Sequence, residues 1–359
     1  MRTDQPIPLR LDARAAGDAA LSSLSRAVLA TIRGACDTTV RPIEYARKVW
    51  PDDPGANVIL RAPSQAASVA TPSWAGVLAQ TAVAFVASLV PLSAGAALLQ
   101  RCLQLSFAGA GRISVPGVFM PLADFVGEGQ PIPALQGTSS VQAVVESAKF
   151  AVIIALSREL YDNPNAEGLI RQALAESAGP ALDRRLFDNL AAVPDLRPAG
   201  LLNGISPKSP SDLTDMHDAM IADLLALAAA VAQRAGNSDL VYVMSPRQAV
   251  AAVLGTPKEF PYPLLTSTAL ADGQVICVVP SAIAAVMEAL PRIDVSTQTA
   301  VHMETNAQPI VKDDGTTATP VMSSFQTDNV TMRMRWPLSW SLRAPDAIAF
   351  ITGAKWPAG

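Results

Sequence analysis

Apolar residues recur every three or four positions in two long stretches of this chain. Leu21, Leu24, Val28, Leu29 and Ile32 predict a helix over 20–35. A longer one is introduced by Asp162-Asn163-Pro164, with Asn163 as N-cap, Pro164 at the first helical position and Glu167 in the dipole-favoured first turn. Ile170, Leu174, Ala178, Leu182, Leu186 and Leu190 then step by four, with Phe187 beside them, and form one apolar stripe. Gly179-Pro180 disturbs the stripe. Proline there deletes the bond to the carbonyl of Glu176 and costs about 3 kcal/mol in a helix interior, which predicts a bend. A long helix with a single apolar stripe must lie on something.

Elsewhere the period is two. A β region starts in Gly109-Ala-Gly-Arg-Ile-Ser-Val-Pro-Gly117 and returns along 141–156, where Val141, Ala143 and Val145 alternate with Gln142, Val144 and Glu146. An isolated hairpin of that length is barely stable in water, so it needs support from outside itself. Residues 212–235 read as an Ala-rich helix, 240–244 as a strand, Ser245-Pro246 as the start of a helix through Leu254, and 275–279 as a buried strand. Near the end Val330, Met332, Met334 and Trp336 face one way. Pro337 is expected to reset the phase before Leu338, Trp340 and Leu342, and 347–352 form one more strand. Trp50-Pro-Asp-Asp-Pro-Gly55 breaks the chain, Arg61 to Pro72 reads as an extended linker, and Trp74 to Leu103 as a helical block interrupted at Pro91.

Composition sharpens this picture. In 359 residues, hydrophobic side chains make up 50% and charged ones only 16%, with mean hydropathy +0.28. That is apolar for a soluble monomer, so a membrane or a large protein interface must hide the excess. Between Arg61 and Arg101 no residue is charged, and 82–99 is nearly long enough to span a bilayer. The run is built of Ala, Ser and Gly around Pro91, which favours a buried or subunit-facing segment over a span. Met1-Arg-Thr-Asp-Gln-Pro lacks the apolar core of a signal peptide, so synthesis in the cytoplasm is expected. A net charge of −4 argues against a protein that grips DNA.

Groups suited to catalysis are sparse. His217 sits near three acids at a helix start, His302 in an alternating strand, and no Gly-x-Ser-x-Gly elbow occurs. Gly109-Ala-Gly111 and Gly127-Glu-Gly129 lack the third glycine of a dinucleotide fingerprint and read as turns. Asp52-Asp53 and Asp313-Asp314 fall in turn-rich sequence, and Cys36, Cys102 and Cys277 show no metal-ligand spacing. Asn329-Val-Thr331 is a glycosylation sequon by letter only. Arg333 and Arg335 share one strand face and read as solvated or salt-bridged rather than phosphate-binding. No catalytic residue, cofactor or metal site is expected.

The most informative segment is Phe125-Val-Gly-Glu-Gly-Gln-Pro-Ile-Pro133, a wet turn whose glycines permit positive φ and whose prolines withhold two donors. It is followed in order by Leu156-Ser-Arg-Glu-Leu-Tyr-Asp-Asn163, Ala181-Leu-Asp-Arg-Arg-Leu-Phe187, Pro198-Ala-Gly-Leu-Leu-Asn-Gly204, Met244-Ser-Pro246, Ser324-Phe-Gln-Thr-Asp328 and Ala347-Ile-Ala-Phe350. This order, covering roughly 70–356, resembles the major capsid proteins of tailed bacteriophages and prophages, the Hong Kong 97 fold. The resemblance implies an α+β chain with an N-terminal arm or scaffold remnant at 1–70, a helical segment at 71–108 and an extended loop at 109–157. A peripheral domain with a spine helix would occupy 158–203, an axial domain 204–320, and peripheral return strands 321–359. It further implies Phe125, Glu128, Gln130, Pro131, Ile132, Lys149, Arg158, Glu159, Arg171 and Arg184 as contacts between subunits.

The partners implied are other copies, in pentamers and hexamers, together with a portal, a scaffold, protease or decoration protein, and packaged DNA held without sequence-specific binding. The expected place is the virion capsid. Some family members weld neighbours through a Lys-Asn bond, but Lys149 is the only lysine in the loop and no acceptor motif stands out. An encapsulin-like compartment shell shares the expected fold. A hydrolase related to a head-maturation protease, using His217 and Ser245, and a membrane protein are the readings of other classes.

Overall fold

The computed structural model describes residues 13–37, 39–61, 89, 93–107, 111–116, 142–157, 166–194, 196–235, 239–255, 260–287, 292–302, 310–311, 315–316, 319 and 321–356. Helices α1 (Ala13–Cys36), α2 (Pro42–Val49), α3 (Pro54–Arg61) and α4 (Ala94–Leu99) come first. Strands β1 (Leu103–Leu105), β2 (Arg112–Pro116), β3 (Gln142–Glu146) and β4 (Lys149–Ser157) lead into α5 (Ala166–Leu186). Then follow α6 (Met216–Ala235), β5 (Val241–Met244), α7 (Pro246–Gly255), β6 (Leu264–Thr266) and β7 (Val275–Val278). Strands β8 (Ile283–Met287), β9 (Arg292–Ser296), β10 (Ala300–His302), β11 (Val321–Ser323), β12 (Asn329–Leu342) and β13 (Ile348–Ile351) complete an α+β chain. It forms two compact units, one of residues 1–89, 150–178 and 289–336, the other of 90–149, 179–288 and 337–359.

In the first unit α1 packs on α2, α3 and β9, burying Leu24, Val28 and Ile32 from the expected stripe. The described part of 1–70 is a helical cluster, because an apolar stripe of this length needs a cover and α2 and α3 supply it. The break at 50–55 is the corner between those two helices. There the buried Asp53 carboxylate accepts the Ser23 hydroxyl at 2.7 Å, the Arg26 guanidinium at 2.9 Å and the Ala56 N–H at 3.1 Å. A Cβ on Gly55 would stand 2.6 Å from Ser23 Oγ, so glycine lets α3 start this close to α1. Burial pushes the Asp53 carboxyl up, but the Ser23, Ala56 and Arg26 hydrogen bonds outweigh it and hold the group below the ordinary carboxylate value.

Strand β12 buries Val330, Met332, Met334 and Trp336 as the alternation predicts. Pro337 does not reset the phase: Leu338 and Trp340 keep the same parity and are also buried, in one continuous strand of 14 residues. The ladders explain this tolerance. Residues 331–335 pair with β9 and 338–342 with β8, so Pro337 falls in the gap where the partner changes and its missing N–H is not called on there. The units also divide the chain differently from the sequence-based domains. Residues 292–302, predicted to lie in the axial block, pair with 321–335, while β13, predicted among the peripheral return strands, pairs with β7.

The second unit contains a four-stranded sheet in the order β13-β7-β5-β6. Register places Tyr242, Cys277 and Ala349 in one row and Met244, Val275 and Ile351 in another. This face packs against both α6, through Leu224, Leu227 and Val231, and α7, through Ala249 and Ala252. Trp356 joins the core and donates its indole N–H to buried Asp223 at 2.8 Å, while the Tyr242 hydroxyl donates to Leu224 O at 2.8 Å.

Helix α5 runs without interruption through Pro180 and ends at Leu186. Ile170, Ala178, Leu182 and Leu186 of its stripe are buried, but Leu190 lies beyond the helix and is 44% exposed. The same helix carries Asp183, which is 2% exposed. Asp183 Oδ1 accepts the Ser93 hydroxyl at 2.5 Å and the Gly95 N–H at 2.8 Å. Oδ2 accepts the Ser267 hydroxyl at 2.5 Å and the Ala94 N–H at 3.1 Å. The carboxylate thus caps the N-terminus of α4, whose free N–H groups and dipole favour an anion.

Asp183→Ala strands these buried donors and should cost about 3 kcal/mol or more in urea unfolding, with the loss much smaller for a surface control such as Asp218→Ala. A Cβ on Gly95 would stand 2.9 Å from both Asp183 Oδ1 and Leu186 Cδ2, so Gly95→Ala should cost about 1–3 kcal/mol by overpacking. The depressed Asp53 pKa adds stability that is complete above the ordinary carboxylate range and is lost as pH falls through the folded value. Protection factors in 13–61, measured relative to intrinsic exchange at each pH, should fall on acidification from about pH 6 to about pH 3, and Asp53→Asn should flatten that dependence.

Candidate assembly surfaces

The base of the predicted loop is an antiparallel pair running from Arg112 opposite Glu146 to Pro116 opposite Gln142. Val115, Ala143 and Val145 point inward and pack with Phe107 and with Ala284 and Val286 of β8. The Ser147 N–H closes the pair on Gly111 O at 3.0 Å. Arg112 and Glu146 approach to 3.7 Å, a half-exposed ion pair that contributes little stability. The hairpin root is therefore fixed by apolar burial to β8 of the five-stranded sheet.

Of the predicted contact residues, Phe125, Glu128, Gln130, Pro131, Ile132, Arg158 and Glu159 lie outside the described residues, as does the side chain of Arg171 on α5. Lys149 is exposed at the start of β4, and Arg184 is exposed near the end of α5. The structure brings neither of these two to the other predicted residues in any described contact.

Three surface features were not predicted. The first is a cavity of about 390 Å³ in the second unit, bounded by β3, the 192–203 segment and the end of β12. Val193, Leu196, Pro198 and Trp340 line it, with Arg112 and Arg197 among its polar groups. The second is the turn between β11 and β12, where Phe325 is 78% exposed. That turn is built to hold its shape: Thr327 N–H donates to Ser323 O and Asn329 N–H to Ser324 O, while the buried Ser324 hydroxyl lies 2.5 Å from Thr331 Oγ1. The third is the outer side of α6 and α7, where large apolar residues face solvent.

The groups weighed for chemistry have structural duties. Asp215 caps α6 by accepting the His217 and Asp218 N–H groups, which leaves His217 exposed at the helix start. Ser245 is buried and its hydroxyl donates to the Gln248 side chain at the start of α7. Burial pushes the Cys102 and Cys277 thiols up to about 12, which keeps both protonated at neutral pH. Arg333 and Arg335 both reach Asp294 Oδ2 on the adjacent strand, at 2.8 and 3.0 Å, and form the salt-bridged face that the alternation predicts.

No protein-family model matches the chain. Among curated proteins it is similar to the capsid polyprotein of Pseudomonas phage PAJU2, with 30% identity in an alignment 258 positions long that covers 65% of this chain and 38% of that protein. The chain thus spans well under half the length of this relative. Among solved structures it is similar to one from Mycobacterium phage Bobi, at a TM-score of 0.50 and 15% identity, covering 72% of this chain and 90% of that one. A structure of the satellite phage P4 procapsid including size determination (Sid) protein matches at a TM-score of 0.48 and 11% identity, over 84% of this chain and 96% of that one. The chain is a relative of a phage capsid polyprotein by sequence, and it shares its fold with a mycobacteriophage protein.

Val145 has no exposed surface within the hairpin root. Val145→Ala should cost about 2 kcal/mol and speed limited proteolysis between 111 and 147 more than elsewhere, as read by mass spectrometry of the fragments.

Proposed function

We propose that this chain is a major capsid protein of the Hong Kong 97 type, which self-assembles into an icosahedral shell around phage or prophage double-stranded DNA. The observation that carries the proposal is the 30% identity to a phage capsid polyprotein. Two physical features support it. The hairpin root is anchored by apolar burial on β8 of the same unit. The second unit leaves apolar side chains on its surface that a shell lattice would cover.

In this reading α5 is the spine helix and the four-stranded sheet with α6 and α7 belongs to the part gathered around the symmetry axes. The residues from Phe125 to Ile132 would dock on an adjacent copy, with Lys149, Arg158, Glu159, Arg171 and Arg184 in the same network. The head-to-tail contacts close into pentamers and hexamers and then into a shell. Portal, scaffold and decoration proteins, contact with DNA through charge rather than sequence, and production in a bacterial cytoplasm complete the proposal. Catalysis has no place in it.

Electron microscopy of the purified protein, with light scattering for mass, tests it. Closed icosahedral particles of one or a few sizes are expected. A chain that stays a monodisperse monomer across salt, pH and crowding conditions overturns the reading, and small cages filled with a cargo enzyme would transfer it to a compartment shell.

A further inference from the structure

We propose that the cavity bounded by β3, the 192–203 segment and the end of β12 binds a small organic acid, a monocarboxylate with an apolar body. Its volume of about 390 Å³ falls at the small end of the ~300–1,000 Å³ of ligand pockets, enough for a compact molecule. Every wall belongs to the second unit, so one chain forms the site without a neighbour.

The walls are held in place by their own contacts. The Trp340 indole N–H donates to Ala199 O at 2.9 Å, which ties the 192–203 segment to β12. Within that segment Val193 and Arg197 exchange both backbone hydrogen bonds at 3.0 Å, and the Gly200 and Leu201 N–H groups reach back to Leu190 O and Leu186 O. Gly200 has no room for a side chain, because a Cβ there would collide with Asp188. A wall fixed in this way spares a ligand the entropy of ordering it.

Three kinds of group line the cavity. Val193, Leu196 and Pro198 supply an apolar side. Ser339 lies there at 1% exposure, and its hydroxyl has no hydrogen-bond partner among the described residues. A buried hydroxyl left alone costs free energy that a polar ligand atom would recover. Arg112 and Arg197 bring positive charge. Their carboxylate partners, Glu146 and Asp188, both stand at 3.7 Å, beyond hydrogen-bond length, so the guanidinium N–H groups are not spent in those pairs. Two arginines against Glu146, the one lining carboxylate, suit a single negative charge. A phosphate dianion would draw on backbone N–H groups, but those of Val193, Arg197, Gly200 and Leu201 are taken. A cation would meet two guanidinium groups, and a wholly apolar molecule would leave Ser339 unpaired. The small volume suits a free acid rather than a peptide chain.

Titration of 4-phenylbutyrate into the full chain, followed by calorimetry and ligand-observed NMR, tests the site. Saturable binding is expected, with 4-phenylbutanol and 4-phenylbutylamine about tenfold weaker or more, since neither carries the negative charge. Arg197→Gln should weaken binding of the acid about tenfold and Ser339→Ala about threefold, with circular dichroism unchanged. If Arg197→Gln folds poorly, Leu196→Asp serves instead: Leu196 is 65% exposed, so the change spares the fold while setting a carboxylate against that of the probe. No saturable binding up to about 10 mM, equal binding of the alcohol, or an affinity unchanged in both Arg197→Gln and Leu196→Asp overturns the site. Acetyl-Gly-Leu with a free C-terminal carboxylate, should it bind about tenfold tighter than 4-phenylbutyrate, moves the occupant to a chain terminus and overturns the small-acid assignment. None of these results bears on the shell reading, because no neighbouring copy enters the site.

Discussion

A single buried carboxylate organises the second unit. Asp183 gathers donors from Ser93, Ala94 and Gly95 at the start of α4 and from Ser267 just after β6, and so ties the end of α5 to two distant parts of the chain. A charge removed from water is costly unless each lone pair is occupied, and here the donors come from backbone and side chains whose positions are fixed by their own elements. The arrangement works in one geometry only, because Gly95 has no room for a methyl group between Asp183 and Leu186. Small residues around the carboxylate are thus part of its solvation, which accounts for the Ser-Ala-Gly-Ala composition of that stretch.

The same logic explains what could be read in advance and what could not. Periodicity marked α1, α5 and β12, because each buries one side and the pattern of burial is written directly into the order of residues, while α6, α7, β5 and β7 were legible from an Ala-rich run, a Ser-Pro start and short apolar runs that are buried throughout. It failed where partners decide. Pro337 looks like an interruption until β8 and β9 are seen to divide β12 between them. Leu190 fits the four-step stripe, yet the helix ends one turn earlier, and the Leu201 N–H takes the Leu186 carbonyl. Ser93 and Ser267 are separated from Asp183 by 90 and 84 residues, and no local pattern links them. The predicted contact residues fared differently again: the nine-residue segment 125–133 suggests a relationship through its order among other landmarks, but says nothing by itself about what it touches.

The apolar excess in the composition finds a concrete location. The residues between Ser93 and Leu99 are buried, so this part of the uncharged stretch is core rather than surface. The surplus instead appears on the outer sides of α6 and α7 and at Phe325, whose turn is held by backbone hydrogen bonds.

The manner in which the chain weaves between its two units has an evolutionary consequence. Strand β4, helix α5 and strand β12 each begin in one unit and finish in the other. No single stretch of gene therefore encodes either body, and recombination cannot trade one for a foreign version without severing a helix or a strand. Lineages built on this plan must diverge by gradual substitution and by additions at turn tips, where the backbone has no ladder to break.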